Sequence, residues 1–271
     1  MLIAPVRRRI DYTGHPTRSN RRIGRKPRIA TLMELSIVVP VRNEAENVAA
    51  VAAEIRAALG GKLVFEIIFA DDGSSDGTPE ALKTLKAQFP EIRVVGLDRP
   101  SGKSRAIIEA VRRARAPVIC TMDGDGQDDP SFIPAFMEKM KAPGAKSANR
   151  IVCAHRQNRK DTWLKRRVSP VANAIRRAVL KDKTPDSGCG YKMFPRDAYL
   201  ELPRFENMHR FLPALFIRRG GESVSVPVLH RARVKGRSKY GVFDRAWVGF
   251  WDLLGVAWLA RRTTNPGVKE E

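Results

Sequence analysis

The sequence predicts an α/β protein built on a mostly parallel sheet flanked by helices. Three observations carry that reading. From Glu34 onward, short β-rich apolar runs alternate with longer stretches of helical periodicity, the signature of consecutive β-α units. Each apolar run leads directly into a polar cluster, so the conspicuous charge collects at one edge of the predicted sheet, where open α/β sheets bind their ligands. The chain has 271 residues, of which 43% are hydrophobic, enough for a sizeable core and against global disorder.

Leu35 to Val39 is the first predicted strand, closed by Pro40. Glu46 to Leu59 has helical periodicity and stops at Gly60-Gly61, a helix-ending pair. Phe65 to Phe69 forms the second strand. Thr78 to Phe89 is a helix with Thr78 as N-cap and Pro79 at the first helical position. Ile92 to Leu97 is the third strand, Ser104 to Ala114 a helix, and Val118 to Met122 the fourth strand. Further on, Trp163 to Lys181 reads as a helix with Leu164, Val168, Val171, Ala172, Ile175 and Val179 on one face, Pro170 kinking or restarting it. Its basic character comes from Lys165, Arg166, Arg167, Arg176 and Arg177. Phe243, Trp247, Phe250, Trp251, Leu254 and Trp258 repeat that spacing near the C-terminus, with Arg261-Arg262 after them. Both faces fit packing on the core equally well by periodicity; the tryptophans and basic flanks favour an amphipathic helix at a membrane interface.

The formal net charge of +21 calls for an anionic partner: nucleic acid, an anionic membrane surface or a phosphorylated substrate. The charge is clustered. Residues 1–32 hold nine Lys/Arg against one Asp, residues 139–181 thirteen against one, and Arg231, Arg233, Lys235, Arg237 and Lys239 alternate. Residues 1–32 are expected to be a basic, disordered extension ahead of a domain over 33–241, an interface helix over 242–262 and a tail over 263–271. No apolar run reaches membrane-spanning length. Cys120, Cys153 and Cys189 stand far apart and read as buried reduced thiols. No His/Cys cluster suits zinc, and four scattered histidines argue against a His-based triad.

Against this basic background the run VICTMDGDGQDDP, residues 118–130, gathers acid at the end of a strand. Asp123 and Asp125, separated by one glycine, can converge on a cation, with Gln127 adding a neutral oxygen. Such an all-oxygen set suits Mg²⁺ or Mn²⁺; the other reading is a solvated turn. Asp128 and Asp129, before Pro130, read as a cap for the helix that follows. Asp71 and Asp72 either cap the helix near Thr78 or accept hydrogen bonds from a base or ribose. Gly102-Lys103-Ser104 resembles the end of a phosphate-binding loop, but the earlier glycine of that motif falls on Leu97.

The motifs LSIVVPVRNEAENV, FEIIFADDGSSDGT, MDGDGQDDP and HRARVKGRSKYG, in this order, resemble inverting glycosyltransferases of family 2, and within them the polyprenyl-phosphate, dolichol-phosphate-mannosyltransferase-like branch. The resemblance spans about Leu35 to Arg262. It implies a GT-A fold, a nucleotide-diphosphate sugar donor, a polyprenyl phosphate acceptor, an Mg²⁺ or Mn²⁺ ion, and peripheral attachment to an anionic membrane surface on its cytoplasmic face. Pro40, Arg42 and Glu44 then line the nucleotide pocket, and Asp71 and Asp72 contact base or ribose. Lys103 joins the nucleotide-sugar set, and Asp123, Asp125 and Gln127 hold metal and diphosphate. Arg233, Ser238 and Lys239 close over the phosphates, with Asp125, Arg233 and Lys239 as the catalytic group. RRVSPVAN and DSGCGYKMF resemble the acceptor region and put Arg166, Arg167 and Ser169 at the acceptor phosphate. Two departures stand out: DRPSGKSRA lacks the usual Asn, and ARAPVICTM lacks the usual Gly-Asp. QxxRW, the mark of processive synthases, is absent, which implies transfer of one sugar. A phosphate acceptor is already ionised and needs no general base. Glu206 in RFENMHRF keeps open a family-2 transferase acting on a hydroxyl of a glycan or lipid. A basic nucleic-acid-binding protein is the alternative of another class, and no RNA- or DNA-binding motif supports it.

Overall fold

The computed structural model describes residues 32–157, 174–182, 184–229, 231 and 242–262, the side chains of the last segment from 249 onward. Its elements are β1 (Leu35–Val41), α1 (Val48–Leu59), β2 (Phe65–Asp71), α2 (Thr78–Gln88), β3 (Ile92–Gly96), α3 (Lys103–Arg113), β4 (Val118–Thr121), α4 (Ile133–Lys141), β5 (Arg150–Gln157), the helical residues 174–180 as α5, β6 (Lys192–Pro195), α6 (Arg196–Leu200), α7 (Leu212–Arg218), β7 (Glu222–Leu229) and α8 (Val242–Arg261).

One sheet carries the strands in the order β3-β2-β1-β4-β6-β5-β7. β3, β2, β1 and β4 are parallel; β6 runs antiparallel to both neighbours, and β5 and β7 are parallel to each other. The first four strands match the sequence expectation within a residue or two at each end. β5, β6 and β7 go beyond it.

The central strands are buried on both faces, as parallel strands covered by helices must be. Ile37, Val39 and Val41 point into a layer with Val51, Ile55 and Leu59 of α1 and Phe136 and Met140 of α4, while Val38 points into the other with Ile107 and Val111 of α3 and Leu215 of α7. Cys120, Cys153 and Cys189 are all buried, and burial drives each thiol pKa up, so they pack as inert small residues.

Two helix caps and one side chain differ from the expectation. Thr78 is the first residue of α2 rather than its cap. Asp76 caps the turn instead, its Oδ1 accepting from the Thr78 N–H at 3.0 Å and the Thr78 hydroxyl at 2.6 Å. Of the pair Asp128-Asp129, Asp129 alone caps the following turn, accepting from the Ser131 N–H at 2.9 Å. Asp128 turns back into the preceding loop. Arg176, read as part of a basic helix face, is buried against Asp182, with Nη1 to Oδ2 at 3.3 Å.

α8 lies on the body through Val256, which is buried in the second layer with Leu253 and Ala257 packed beside it, and through the Arg218 Nε–H donated to the Leu259 carbonyl at 2.9 Å. Its other face leaves Phe250, Trp251, Leu254 and Trp258 exposed, and Ile175 and Val179 of α5 are exposed likewise. Among the described residues no helix is long and apolar enough to cross a membrane.

Candidate active site

β1 is the hub of the parallel half, with β2 on one side and β4 on the other. The chain steps from β1 to β2 and β3 on one side and then crosses back from β3 to β4 on the other, so the loops after β1, β2 and β4 open a crevice at the carboxyl edge, where such sheets bind ligands. Backbone bonds carry the strand pairing into this edge: the Asp72 N–H donates to the Val41 carbonyl at 2.9 Å and the Met122 N–H to the Val38 carbonyl at 3.1 Å.

The loops are then tied to each other. Asn43, in the left-handed region at φ 53°, accepts from the Ser75 N–H at 2.8 Å, and its own N–H donates to Ser74 Oγ at 2.9 Å. The Glu44 N–H donates to Thr78 Oγ1 at 2.9 Å, and the Glu44 carboxylate accepts from Asn47 Nδ2 at 2.6 Å. Pro40 pairs with Ala70 inside the sheet, and Arg42 follows on the exposed rim. Neither Asp71 nor Asp72 caps α2. Asp71 Oδ1 accepts from the Ser74 N–H at 3.1 Å and from its hydroxyl. Asp72 accepts from the N–H groups of Ser101 at 2.6 Å and Gly102 at 3.0 Å, which fixes the entry to α3.

That entry delivers Lys103 to the acidic turn, where its Nζ pairs with Asp123 Oδ1. The turn needs glycine at its centre: a Cβ on Gly124 would stand 2.5 Å from Val41 Cγ1. It also needs glycine opposite, because a Cβ on Gly190 would overlap the Asp123 carboxylate. The backbone of Gly190 is held there by buried Lys192, whose Nζ donates to the carbonyls of Ser187, at 3.1 Å, and Cys189. Asp128 Oδ2 accepts from the Asp123 N–H at 2.8 Å, and Asp125 Oδ1 from the Gln127 N–H at 3.2 Å.

The electrostatics follow from this crowding. Burial opposes the Lys103 charge, but Asp123 beside it, with Asp128 and Asp125 beyond, outweighs burial and raises its pKa. Burial also opposes ionisation of Asp123, yet Lys103, then Lys192 and Arg156, hold its pKa below the ordinary value. Asp128 is pushed up to about 7 by burial and by the Asp123 charge. One carboxylate of the cluster thus lacks enough neighbouring positive charge, the environment a divalent cation relieves.

Among the described residues no three Asp, Glu, His or Cys side chains converge to cage an ion. The set on offer is the two carboxylates Asp123 and Asp125 with the Gln127 amide oxygen. That fits a hard cation that draws the rest of its shell from phosphate and water. Arg166, Arg167, Ser169, Arg233, Ser238 and Lys239 lie outside the described residues.

The structure adds residues that sequence reasoning missed. Arg156 forms a two-pronged pair with Asp186, at 2.7 and 3.0 Å. His209 Nδ1 meets Ser104 Oγ at 2.8 Å beside Lys103, and burial, then the charges of Lys103 and Lys192, hold its pKa well below the usual value, so the ring is neutral. DSGCGYKMF flagged the segment of Gly190 and Lys192 but not its contact with Asp123.

Residues 36–202 match the family model described as Glycosyl transferase family 2. The chain is 33% identical over 243 residues to the dodecaprenyl-phosphate galacturonate synthase of Rhizobium johnstonii, covering 87% of this chain and 70% of that protein. It is 31% identical over 216 residues to the undecaprenyl-phosphate 4-deoxy-4-formamido-L-arabinose transferase of Edwardsiella ictaluri, covering 78% of this chain and 64% of the relative. Among solved structures it superposes on glucosyl-3-phosphoglycerate synthase from Mycobacterium tuberculosis, in complex with Mn²⁺, UDP and glucosyl-3-phosphoglycerate. That match has a TM-score of 0.61 at 18% identity, over 87% of this chain and 82% of the other. A mannosyltransferase from Pyrobaculum calidifontis, in complex with GDP-Man and Mn²⁺, superposes at TM-score 0.62 and 19% identity, over 88% of this chain and 67% of the other. At those identities the likeness carries the GT-A fold alone. The matched family region runs from β1 through the acidic turn and past Lys192, and of the described site residues only His209 lies beyond it. The chain therefore belongs to glycosyl transferase family 2.

Proposed function

We propose that this chain transfers a single sugar from a nucleotide-diphosphate sugar to a polyprenyl phosphate, with inversion at the anomeric carbon, as a peripheral membrane enzyme dependent on Mg²⁺ or Mn²⁺. The observation that carries the reading is the junction of Lys103 with the acidic turn at the switch point of the sheet. The relatives named as polyprenyl-phosphate enzymes support the acceptor class.

Asp123, Asp125 and Gln127 would hold the cation, which when bound neutralises charge on the leaving diphosphate. Asp71 and Asp72 shape the nucleotide end of the crevice by holding the Ser74 and Ser101-Gly102 loops. Lys103 offers the donor phosphates an ammonium kept charged by its acidic neighbours. An oxygen of the acceptor phosphate attacks the anomeric carbon while the bond to the diphosphate breaks. That oxygen is already anionic, so the step needs cationic positioning rather than proton abstraction. Arg166, Arg167 and Ser169 are assigned to the acceptor phosphate and Arg233, Ser238 and Lys239 to the diphosphate, since guanidinium forks match phosphate oxygens. Neutral, half-buried His209 is committed to Ser104, which leaves the chemistry to these groups. The exposed Phe250, Trp251, Leu254 and Trp258, followed by Arg261 and Arg262, suit an anionic headgroup boundary.

The test supplies radiolabelled UDP- and GDP-sugars with Mn²⁺ and either polyprenyl phosphate or free polyprenol, followed by lipid extraction. Label in a mild-acid-labile lipid, formed only with the phosphate, is the expected result. Transfer to the free alcohol, or to neither, overturns the acceptor assignment.

A further inference from the structure

Just past the end of β7 the chain reaches Arg231, which grips the acidic turn twice. Its carbonyl accepts from Gln127 Nε2 at 3.3 Å, and its Nη2 meets Asp129 Oδ2 at 2.6 Å. Its Nη1 reaches Glu54 Oε2 of α1 at 2.8 Å, so the grip is braced on a helix. Asp129 is fully engaged: Oδ1 accepts from the Ser131 N–H, Oδ2 faces Arg231, and its carbonyl accepts from the Tyr191 hydroxyl at 3.1 Å. With the Gln127 NH₂ donated to Arg231, Gln127 Oε1 is the atom left to act as an acceptor or ligand.

We propose that Arg231 is a positioning residue for the ion-and-diphosphate site, setting the placement of Asp125 and Gln127 by holding the turn at 127 and 129 against α1. This rests on the reading that the turn binds a divalent cation together with a nucleoside diphosphate. Arg231 touches no reacting atom. Only a planar fork spans Glu54 and Asp129 at once, so lysine keeps one arm at most. The Glu54 arm is exposed, at 41% and 46% for the two side chains, and exposed pairs add little to folding. The effect therefore falls on the site and not on the fold.

The experiment measures Mn²⁺ binding to the full chain by electron paramagnetic resonance, with and without UDP or GDP, alongside Tm, donor KM and kcat. Arg231→Met is expected to weaken Mn²⁺ affinity in the presence of the nucleotide about tenfold, as loss of other outer-shell partners does, and to raise donor KM at nearly constant Tm. Arg231→Lys recovers part of this, and Glu54→Gln shifts both quantities less but in the same direction. Arg231→Met with Mn²⁺ affinity and KM within about twofold of wild type overturns the proposal, as does a loss that tracks a fall in Tm. Wild-type chain that binds no Mn²⁺ with either nucleotide overturns the cation reading as well. Wild type that binds while Arg231→Met is unchanged sinks this proposal alone.

Discussion

In the half of the molecule from β1 to β4, buried charge is used up locally. Asp71 holds Ser74, Asp72 holds Ser101 and Gly102, Asp128 holds the Asp123 N–H, and Asp123 holds Lys103. In the half from β5 to α8 there are loose ends. The buried side-chain polar atoms without a hydrogen-bond partner among the described residues all belong to Arg176, Asp182, Tyr199, Arg219 and Asp252, and large apolar side chains on α5 and α8 face outward. The first half is organised before any substrate arrives, which is where binding and electrostatic stabilisation gain most. Two of those atoms, Arg176 Nη1 and Asp182 Oδ2, face each other as an ion pair at 3.3 Å. Substitutions in the first half should therefore damage chemistry and spare the fold, and outward-facing ones in the second should change where the protein sits.

The largest effect is expected from Asp125→Ala. It removes a proposed ligand to the cation, whose charge stabilisation is worth several kcal/mol, so turnover should fall by about a thousandfold. Asp125 Oδ1 accepts from the Gln127 N–H at 3.2 Å, a local bond within the turn whose loss should cost only about 1 kcal/mol of stability. Full activity in single-turnover assays would remove the metal role.

Gly190→Ala tests whether the two halves are separate at all. The residue belongs to the second half, but its Cβ would overlap the Asp123 carboxylate in the first. Displacing that carboxylate should cost about a hundredfold in kcat/KM, the scale of an ångström-sized misplacement. Normal kinetics in that variant would show that the Gly190 backbone does not set the Asp123 position.

The same division governs what the sequence revealed. β1 to β4 are apolar runs buried on both faces, each followed by its polar loop, so strand, edge and candidate residues could be read together. β5 hides because Arg150, His155 and Arg156 break its apolar pattern. The Arg150 guanidinium is buried only because the carbonyls of Lys139 and Ala142 and, from 72 residues further on, the Glu222 carboxylate surround it. β6 has four residues, and β7 alternates through Val224, Val226 and Val228 but carries Pro227, which argues against a strand in sequence. In the site, spacing after a strand singled out Asp123 and Asp125 as candidates, and the family resemblance added Lys103. Gly190, Lys192, Arg231 and the division of labour between Asp128 and Asp129 were not legible, because each depends on a neighbour brought close by the fold.

The two faces of α8 sharpen the comparison within one helix. Trp251 and Trp258 are 56% and 59% exposed, whereas Val256 is buried. Trp251→Glu or Trp258→Glu should each lower binding to anionic vesicles about tenfold in a sedimentation assay, with Tm unchanged. Val256→Ala should do the reverse, costing about 2 kcal/mol of stability with vesicle binding retained. Equal vesicle binding by wild type and the tryptophan variants would mean that this face meets something other than lipid.

The smallest effect lies in pH dependence, where Asp128 makes a contribution of definite sign. Its folded pKa of about 7 is above the ordinary 3.8, so through the interval between them the folded state binds more protons than the unfolded one. The Asp128 contribution to stability accordingly falls as pH rises through that interval and levels off above it, while His209, with its pKa held low, contributes in the opposite sense up to about 6.5. Asp123, whose pKa is lowered, changes protonation below the interval and leaves its slope alone. Asp128→Asn keeps an oxygen for the Asp123 N–H but cannot ionise, so the fall that Asp128 contributes from about pH 5 to 8 should be missing when the variant is compared with wild type in denaturant titrations. Added Mn²⁺ should flatten the wild type in the same way, because a cation at the turn favours the ionised carboxylate and releases its proton. A wild-type slope that Mn²⁺ leaves untouched would place the cation away from Asp128, and the first half would then owe its organisation to Lys103 alone.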